Sequence, residues 1–470
     1  MTLEVLRFGD KMNLTKLNFF TKKEENIKSE IRVFPKCCHP YKVDIDDYLY
    51  EQIFKGDAVI FAGAGISTES KIVFPYTFYE EIAGELDILD KNLSFPEVME
   101  EYCKLPDGRK KMIDRLQQRF DYIDSFSGLE RTATTFYREL ATLYPIQTII
   151  TTNWDLYFEK YCKAISFVSE EDMAFWDENK RKVLKIHGSI SSYGSIIATS
   201  TDYKKAQEAL HKGVLGSKLK TLLAEKNIIF IGYSFRDTDI QDIYAFVKES
   251  LGRFSKQSYV VTPFSEEAKR FEDIGFKPII TDGRYFIKQI KERAINEKNL
   301  LSDEIYNDAK WLLKKVEEEH YNLCEHINIQ EYPHVIQTMA YQDGMIDGLE
   351  RAITYRTTGE YSNPYHLNGK VQVYDEILEE KIRDKKYDDI SYVEGYLNAL
   401  SFLLLSEDER PSEHPPLYYL YGYFEFDKIK DFLKALKKYP KKFKVEYSAM
   451  IELSKKIENG KVYHHAPFLF

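Results

Sequence analysis

The chain has 470 residues, 43% of them hydrophobic, with 66 basic against 76 acidic side chains and a net charge of −10. That length admits two or three domains of about 150 residues; the apolar content excludes wholesale disorder, and the acidic balance argues against a global nucleic-acid footprint. No apolar run approaches the roughly 18 residues of a membrane-spanning helix, the N-terminus lacks an apolar signal core, and Cys37, Cys38, Cys103, Cys162 and Cys324 form no disulfide framework, so a reduced, cytoplasmic protein is expected.

Residues 1–45 are polar and irregular and read as an N-terminal arm. From Asp57 onward, short apolar runs alternate with helical segments. Buried strands are predicted at Asp57–Ala62, Gln147–Thr152, Val183–His187, Asn227–Gly232, Ser258–Thr262 and Pro278–Thr281. Helical spacing is read over Glu130–Tyr144, Thr238–Leu251 and Glu266–Ile274. This alternation predicts an α/β domain, a doubly wound parallel sheet. The long, charged stretch at about 70–130 reads as a lid or an oligomer contact.

Past about residue 290 the strands are expected to stop. Helices are predicted at Asp303–Glu325, Gly344–Tyr355, Gln372–Asp384, Ser391–Leu405, Phe426–Lys438 and Tyr447–Ile457. The predicted division is therefore 1–45, 46–295 and a mainly α-helical 296–470. The aromatic run Tyr418–Phe424 reads as core or subunit interface. The lysines between Lys434 and Lys444, with Tyr439 and Phe443 interleaved, read better as a solvated face than as a nucleic-acid contact. His464, His465 and Phe468–Phe470 have the character of a segment that docks on a neighbour. His320 and His326 lie six apart near Cys324, poor ligand geometry on one helix, so no metal is expected.

Four polar groups follow predicted strands, where open α/β sheets bind ligands. The first strand runs into Ala62, Gly63, Ala64, Gly65, Ile66, Ser67 and Thr68. Two glycines one residue apart let backbone approach a ligand closely, and the amides and hydroxyls there suit a pyrophosphate. The local alternative is a tight turn with Ser67 capping a helix. The next strand leads to Asn153 and Asp155; an uncharged amide suits orienting a sugar hydroxyl or a water. The third ends in His187 and Gly188, an imidazole able to take a proton near neutral pH. Helix capping by Asn153 or Asp155, and a satisfied core histidine at His187, are the structural alternatives. A fourth strand runs into Gly232 and Ser234, placed to meet a second ribose or a phosphate.

Together, Gly63-Ala64-Gly65-Ile66-Ser67, Thr152-Asn153-Trp154-Asp155, Lys185-Ile186-His187-Gly188-Ser189 and Gly232-Tyr233-Ser234-Phe235 resemble the sirtuin family over about residues 45–290. The likeness is closer to the divergent bacterial branch that degrades NAD in anti-phage defence, because the paired C-x-x-C motifs of a zinc ribbon are missing. The resemblance implies a Rossmann-like NAD site over 46–295, with Asn153 and His187 as its catalytic pair and Asp155 stabilising charge or the local fold. NAD would be the substrate, cleaved at the nicotinamide–ribose bond to nicotinamide and ADP-ribose. Such an enzyme must be held inactive, so a homo-oligomer, or a protein partner such as a defence ATPase or a phage component, is expected to act through the helical region. An NAD-dependent protein deacylase or ADP-ribosyl transferase, and a non-catalytic NAD or ADP-ribose sensor, are the alternative readings.

Overall fold

In the computed structural model seven strands form one parallel sheet: β1 (Ala58–Ala62), β2 (Thr148–Thr151), β3 (Ile165–Phe167), β4 (Lys182–Lys185), β5 (Asn227–Ile231), β6 (Tyr259–Thr262) and β7 (Lys277–Ile280). The structure describes residues 43, 45–67, 73–88, 92–410, 413–422, 424–458 and 461–468. The arm read over 1–45 therefore lies almost wholly outside the described residues, as do Thr68, Cys37 and Cys38. The spatial order is β3-β4-β2-β1-β5-β6-β7, and every pairing is parallel. β1 and β5 are neighbours whose connections leave in opposite directions, which makes their carboxyl ends the switch point of the doubly wound sheet. Ala62 is in register with Ile231, so the two loops beyond them emerge side by side.

All five residues of β1 and of β5 are buried, as strands covered on both faces must be. The helices of this region are α1 (Asp47–Phe54), α2 (Phe78–Glu85), α3 (Phe95–Cys103), α4 (Gly108–Ser125), α5 (Ser127–Ala133), α6 (Thr135–Ala141), α7 (Tyr157–Cys162), α8 (Ser200–Lys212), α9 (Val214–Glu225), α10 (Thr238–Leu251), α11 (Ser265–Asp273) and α12 (Gly283–Asn296). On one face Val59, Phe61, Ile150, Leu184, Phe230 and Val260 pack with Leu219, Leu222, Ile240, Ile243 and Phe271 of α9, α10 and α11. On the other, Ile231 lies against Phe136 of α6 and Gly283 of α12. The charged stretch after the glycine loop folds as α2, α3 and α4 around Phe78, Ile82, Met99, Met112 and Leu116, packed on Ile190, Ile196 and Ala198 just beyond β4.

Two expectations for this region change. The single helix predicted over Glu130–Tyr144 is two, α5 and α6, broken at Thr134, whose backbone leaves the helical region. The Thr134 hydroxyl donates back to the Glu130 carbonyl and accepts from Arg138, competing with the helical ladder. The edge strand β3 was not predicted; three residues give too short an alternation to read.

Beyond α12 come α13 (Ile305–His326), α14 (Val335–Thr354), α15 (Pro364–Asp384), α16 (Tyr387–Leu404), a hairpin of β8 (Tyr418–Leu420) and β9 (Phe424–Phe426), α17 (Ile429–Lys442) and α18 (Lys444–Ser454). The antiparallel hairpin corrects the expectation that strands stop near residue 290. Its turn uses Gly422 at φ +78°, where an added Cβ would meet the Phe443 ring. Tyr418, Tyr419 and Leu420, the first part of the aromatic run, are buried in the helical core. α14 and α16 cross with backbones nearly touching: a Cβ on Gly395 would lie 1.9 Å from the Tyr341 carbonyl oxygen, and one on Gly344 2.0 Å from that of Tyr392.

The sheet and the helices join through buried polar contacts. Ser362 donates to the Thr142 carbonyl at 2.6 Å and accepts the Leu301 amide through its own carbonyl; Lys291 reaches Thr142, Glu139 and Asp303. On α17, Phe432, Leu436 and Tyr439 face inward while Lys434, Lys437, Lys438, Lys441 and Lys442 are exposed. Tyr439 stacks on His334 in the interior, so that aromatic ring is withheld from any base. No described helix is long and apolar enough to cross a membrane.

Candidate functional site

The predicted polar residues sit at the carboxyl ends of β1, β2, β4 and β5. The glycine loop leaves β1 as a single 3₁₀ turn, Ala64–Ile66, and is folded against the loop after β5. Gly63 donates to the Ile231 carbonyl and Gly65 to that of Gly232, both at 3.0 Å; Ile66 and Ser67 donate back to Gly63 and Ala64. A Cβ on Gly63 or Gly65 would lie 2.4 or 2.8 Å from the Gly232 oxygen. The glycines thus permit contact between two loops, and these four amides are committed within the protein. Ser67 caps no described helix; its buried hydroxyl is 3.5 Å from an Asp155 carboxylate oxygen.

Asp155 is fully enclosed. It accepts the Tyr157 amide at 3.1 Å, starting α7, and the Tyr137 hydroxyl at 3.4 Å. Burial outweighs the nearby Lys185 charge and lifts its carboxyl to about 6. Its geometry thus shows a local tie between the loop and the first residue of α7, whose N-cap position is Leu156. Lys185, also buried, binds the Asp155 carbonyl and Glu159.

Asn153 is 5% exposed. Its amide nitrogen donates to the Gly63 carbonyl at 3.3 Å, its backbone amide donates to Thr151, and its side-chain oxygen has no partner among the described residues. A buried amide oxygen without a donor is costly, and this one lies beside the glycine loop. It is a polar group left over when the rest of the strand end is satisfied.

His187 is 3% exposed. Its Nε2 is 3.2 Å from Oδ2 of Asp239, itself buried in the first turn of α10, and its ring meets Tyr203 edge-on at 5.0 Å. The Tyr203 hydroxyl donates to Asp237 at 2.9 Å. Burial pulls the imidazole down, but the Asp239 hydrogen bond and the charges of Asp237 and Asp239 outweigh it and hold the pKa above the ordinary histidine value. The His187 carbonyl accepts the Trp154 indole N–H at 2.9 Å, tying the β4 end to the β2 end.

The structure thus brings Gly63, Ser67, Asn153 and Asp155 into one contact group and His187 with Asp239 and Tyr203 into another, on adjacent strand ends. The two groups share no hydrogen-bond partner among the described residues. Gly188 (φ +84°) serves the turn that follows, where a Cβ would strike the Ser195 carbonyl. Gly232 (φ +61°) and Ser234 are exposed on the loop after β5. Phe235 in that loop holds a left-handed φ of +52°, unusual for a bulky residue, and is wedged among Phe230, Tyr244 and Phe276. Asp239 and Tyr203 were missed from sequence; the available signal was a second acid two residues beyond Asp237, at the start of a helix.

Comparison with known proteins finds similarity over part of the chain. Residues 147–279 match the SIR2-like domain family. The chain is 25% identical over 285 residues to "NAD(+) hydrolase ThsA" of Acinetobacter baumannii, covering 59% of this chain and 56% of that protein. It is 28% identical over 225 residues to the protein of the same name from Cytobacillus dafuensis, covering 46% of this chain and 43% of the other. Against "Defense-associated sirtuin 2" of Bacillus subtilis it is 24% identical over 202 residues, 41% of this chain and 19% of that one. The chain spans about half the length, or less, of the curated relatives it matches.

Proposed function

We propose that this chain is an NAD hydrolase that cleaves the nicotinamide–ribose bond, giving nicotinamide and ADP-ribose, and that it serves as an NAD-depleting effector in anti-phage defence. The observation that carries the reading is the buried His187–Asp239 pair one strand away from Asn153, whose amide oxygen is unpartnered. Relatives named as NAD(+) hydrolases and a defence-associated sirtuin support it.

The chemistry asks little of an acid. The C1′–N bond breaks and nicotinamide departs with the electron pair as a neutral group, leaving positive charge on the ribose. A water attacks C1′ and its proton passes to His187. With Asp239 accepting the Nε2 hydrogen, Nδ1 carries the lone pair that receives that proton. Asn153 orients the water or a ribose hydroxyl through its free oxygen. Asp155 acts through Ser67, Tyr137 and the start of α7 and positions the loop. The adenosine end, held near Gly63, Gly65, Gly232 and Ser234, keeps the reacting bond in place.

In the conformation described, Asn153 and His187 are covered and the loops after β1 and β5 are hydrogen-bonded together. NAD enters when the Gly63–Ile231 and Gly65–Gly232 bonds open. This closed state suits an enzyme awaiting a trigger, through self-association or a partner acting on the helical region.

The test is full-length protein incubated with NAD, alone and with candidate activators, and resolved by chromatography. Equal release of nicotinamide and ADP-ribose, lost in His187→Ala, is expected. Tight NAD binding without nicotinamide release in any oligomeric state would make the chain a sensor. Release that depends on an acylated peptide would make it a deacylase.

A further inference from the structure

The C-terminal segment returns across α13 and α14 and completes a group of metal-binding donors that lies outside the sheet. His464 Nδ1 is 3.2 Å from Oδ1 of Asp343 on α14. His320 Nε2, on α13, is 3.6 Å from the same oxygen. Cys324 follows His320 by one turn, and its Sγ is 3.5 Å from His320 Nε2. The three donor atoms of His320, Asp343 and His464 all lie within 4.8 Å of one another. With bonds of about 2.0–2.3 Å, the donors of a tetrahedral zinc site stand roughly 3.3–3.7 Å apart, the spacing seen along this chain of contacts.

The surrounding hydrogen bonds aim the donors inward. Gln342 donates its amide nitrogen to the Leu417 carbonyl at 2.9 Å. Its oxygen is therefore the atom that faces His320 Nδ1 at 3.2 Å and accepts from it. With Nδ1 protonated, the Nε2 lone pair faces the Cys324 thiol at 3.5 Å and the Asp343 carboxylate at 3.6 Å. An imidazole held by an outer carbonyl is the usual support of a metal ligand. Asp343 is oriented likewise: its Oδ2 accepts the His465 amide at 2.8 Å, which leaves Oδ1 to the two imidazoles. Among the described residues the ion pairs of Asp343 are to those imidazoles. The neighbouring group of Asp388, Asp389 and His465 is different, because Lys381 already pairs with Asp389 at 3.4 Å.

We propose that His320, Asp343 and His464 bind one divalent ion of the zinc class, with Cys324, which touches only His320 in the described conformation and turns inward on binding, as fourth ligand; the ion ties the C-terminal segment to α13 and α14. Two imidazoles, a carboxylate and a thiolate form a borderline donor set that suits zinc over magnesium or calcium. Binding releases the Cys324 thiol proton to solvent, and the ion bonds to the resulting thiolate. The reading from sequence weighed only His320, Cys324 and His326, which share one helix. His326 instead bonds its own helix at the Asn322 carbonyl, and the missing ligands arrive from α14 and from the chain's far end.

The experiment uses the full-length chain, stripped with a chelator and reloaded with zinc or cobalt(II), and reads no NAD turnover, so it succeeds or fails apart from the proposed activity. One zinc per chain by elemental analysis is expected, with a melting temperature that falls on chelation and returns with zinc. The cobalt form should show the strong visible bands of a tetrahedral centre and a thiolate-to-cobalt band. His464→Ala, at a side chain 64% exposed and so no threat to folding, should weaken zinc binding at least tenfold and melt like the chelated wild type. Cys324→Ser should abolish only the thiolate band. Substoichiometric zinc in the wild type, or wild-type affinity in His464→Ala, would overturn the site; a thiolate band that survives Cys324→Ser would remove Cys324 from it. Asp388→Asn should retain zinc, and loss there in place of His464→Ala would put the ion in the neighbouring group and refute the assignment.

Discussion

The sheet and the helical region both bury polar side chains, for different ends. On α14 the buried Gln337, Thr338 and Gln342 face the hairpin: Thr338 donates to the Tyr419 carbonyl at 2.7 Å, Gln342 to that of Leu417, and Gln337 accepts the Tyr421 amide. They complete the free edge of a two-stranded ribbon that lacks a third strand. At the sheet's carboxyl ends, Asn153 keeps an unpartnered oxygen and His187 pairs with Asp239 without serving any backbone group. Polar burial by itself says nothing of chemistry. What marks the strand ends is a pair of groups with no backbone duty, the Asn153 side-chain oxygen and the His187 imidazole, beside an Asn153 amide nitrogen that does serve the Gly63 carbonyl.

That contrast can be broken by substitution. The largest effect is expected at His187→Ala and Asn153→Ala, each lowering NAD cleavage by at least ~10²-fold, the usual loss for an acid–base group, with the thermal melt little changed. Cleavage equal to the wild type in either variant would put the site elsewhere. Next come the glycines of the helix crossing. Gly395→Ala forces a Cβ onto the Tyr341 carbonyl and should cost about 1–3 kcal/mol of stability, read by chemical denaturation. Thr338→Val leaves the Tyr419 carbonyl buried without its donor, at roughly 1–3 kcal/mol, while the remaining folded protein keeps its turnover per molecule; a large loss of turnover would erase the distinction between the regions.

The subtlest test sharpens the role of Asp239. His187 is held above the ordinary value of about 6.5, so its base form, and with it cleavage, should rise as pH climbs through a window above that value. In Asp239→Asn the hydrogen bond and one of the two charges that raise it are lost, leaving only the Asp237 charge to oppose burial, so the imidazole pKa falls. The rising limb of the pH–rate profile should move to lower pH; an unmoved limb would mean that His187 is not the titrating base.

Much of the sheet was legible because a parallel strand buried on both faces must be a continuous apolar run. Val59–Ala62, Ile228–Ile231 and Tyr259–Val261 could hardly be anything else in a chain of this composition. The positions of Asn153 and His187 were legible for the same reason, since a polar residue stands out where such a run ends. Short elements escaped: β3 and the β8–β9 hairpin offer only three residues per strand, too few for a period to register. The break at Thr134 escaped because a hydroxyl's choice between the backbone and solvent is not a matter of periodicity.

The order of residues along the chain thus determined the alternation of strands and helices, the placement of the polar groups at strand ends and the four motifs that carry the family resemblance. These are local properties, set by side-chain period and by glycine's freedom at turns. Tertiary structure alone decided which groups meet: Asp239 with His187 across 52 residues, the glycine loop against Gly232, and His464 with Asp343 across 121. Such pairings depend on how strands order themselves in the sheet and on where a chain end comes to rest, and no spacing within a single element encodes either.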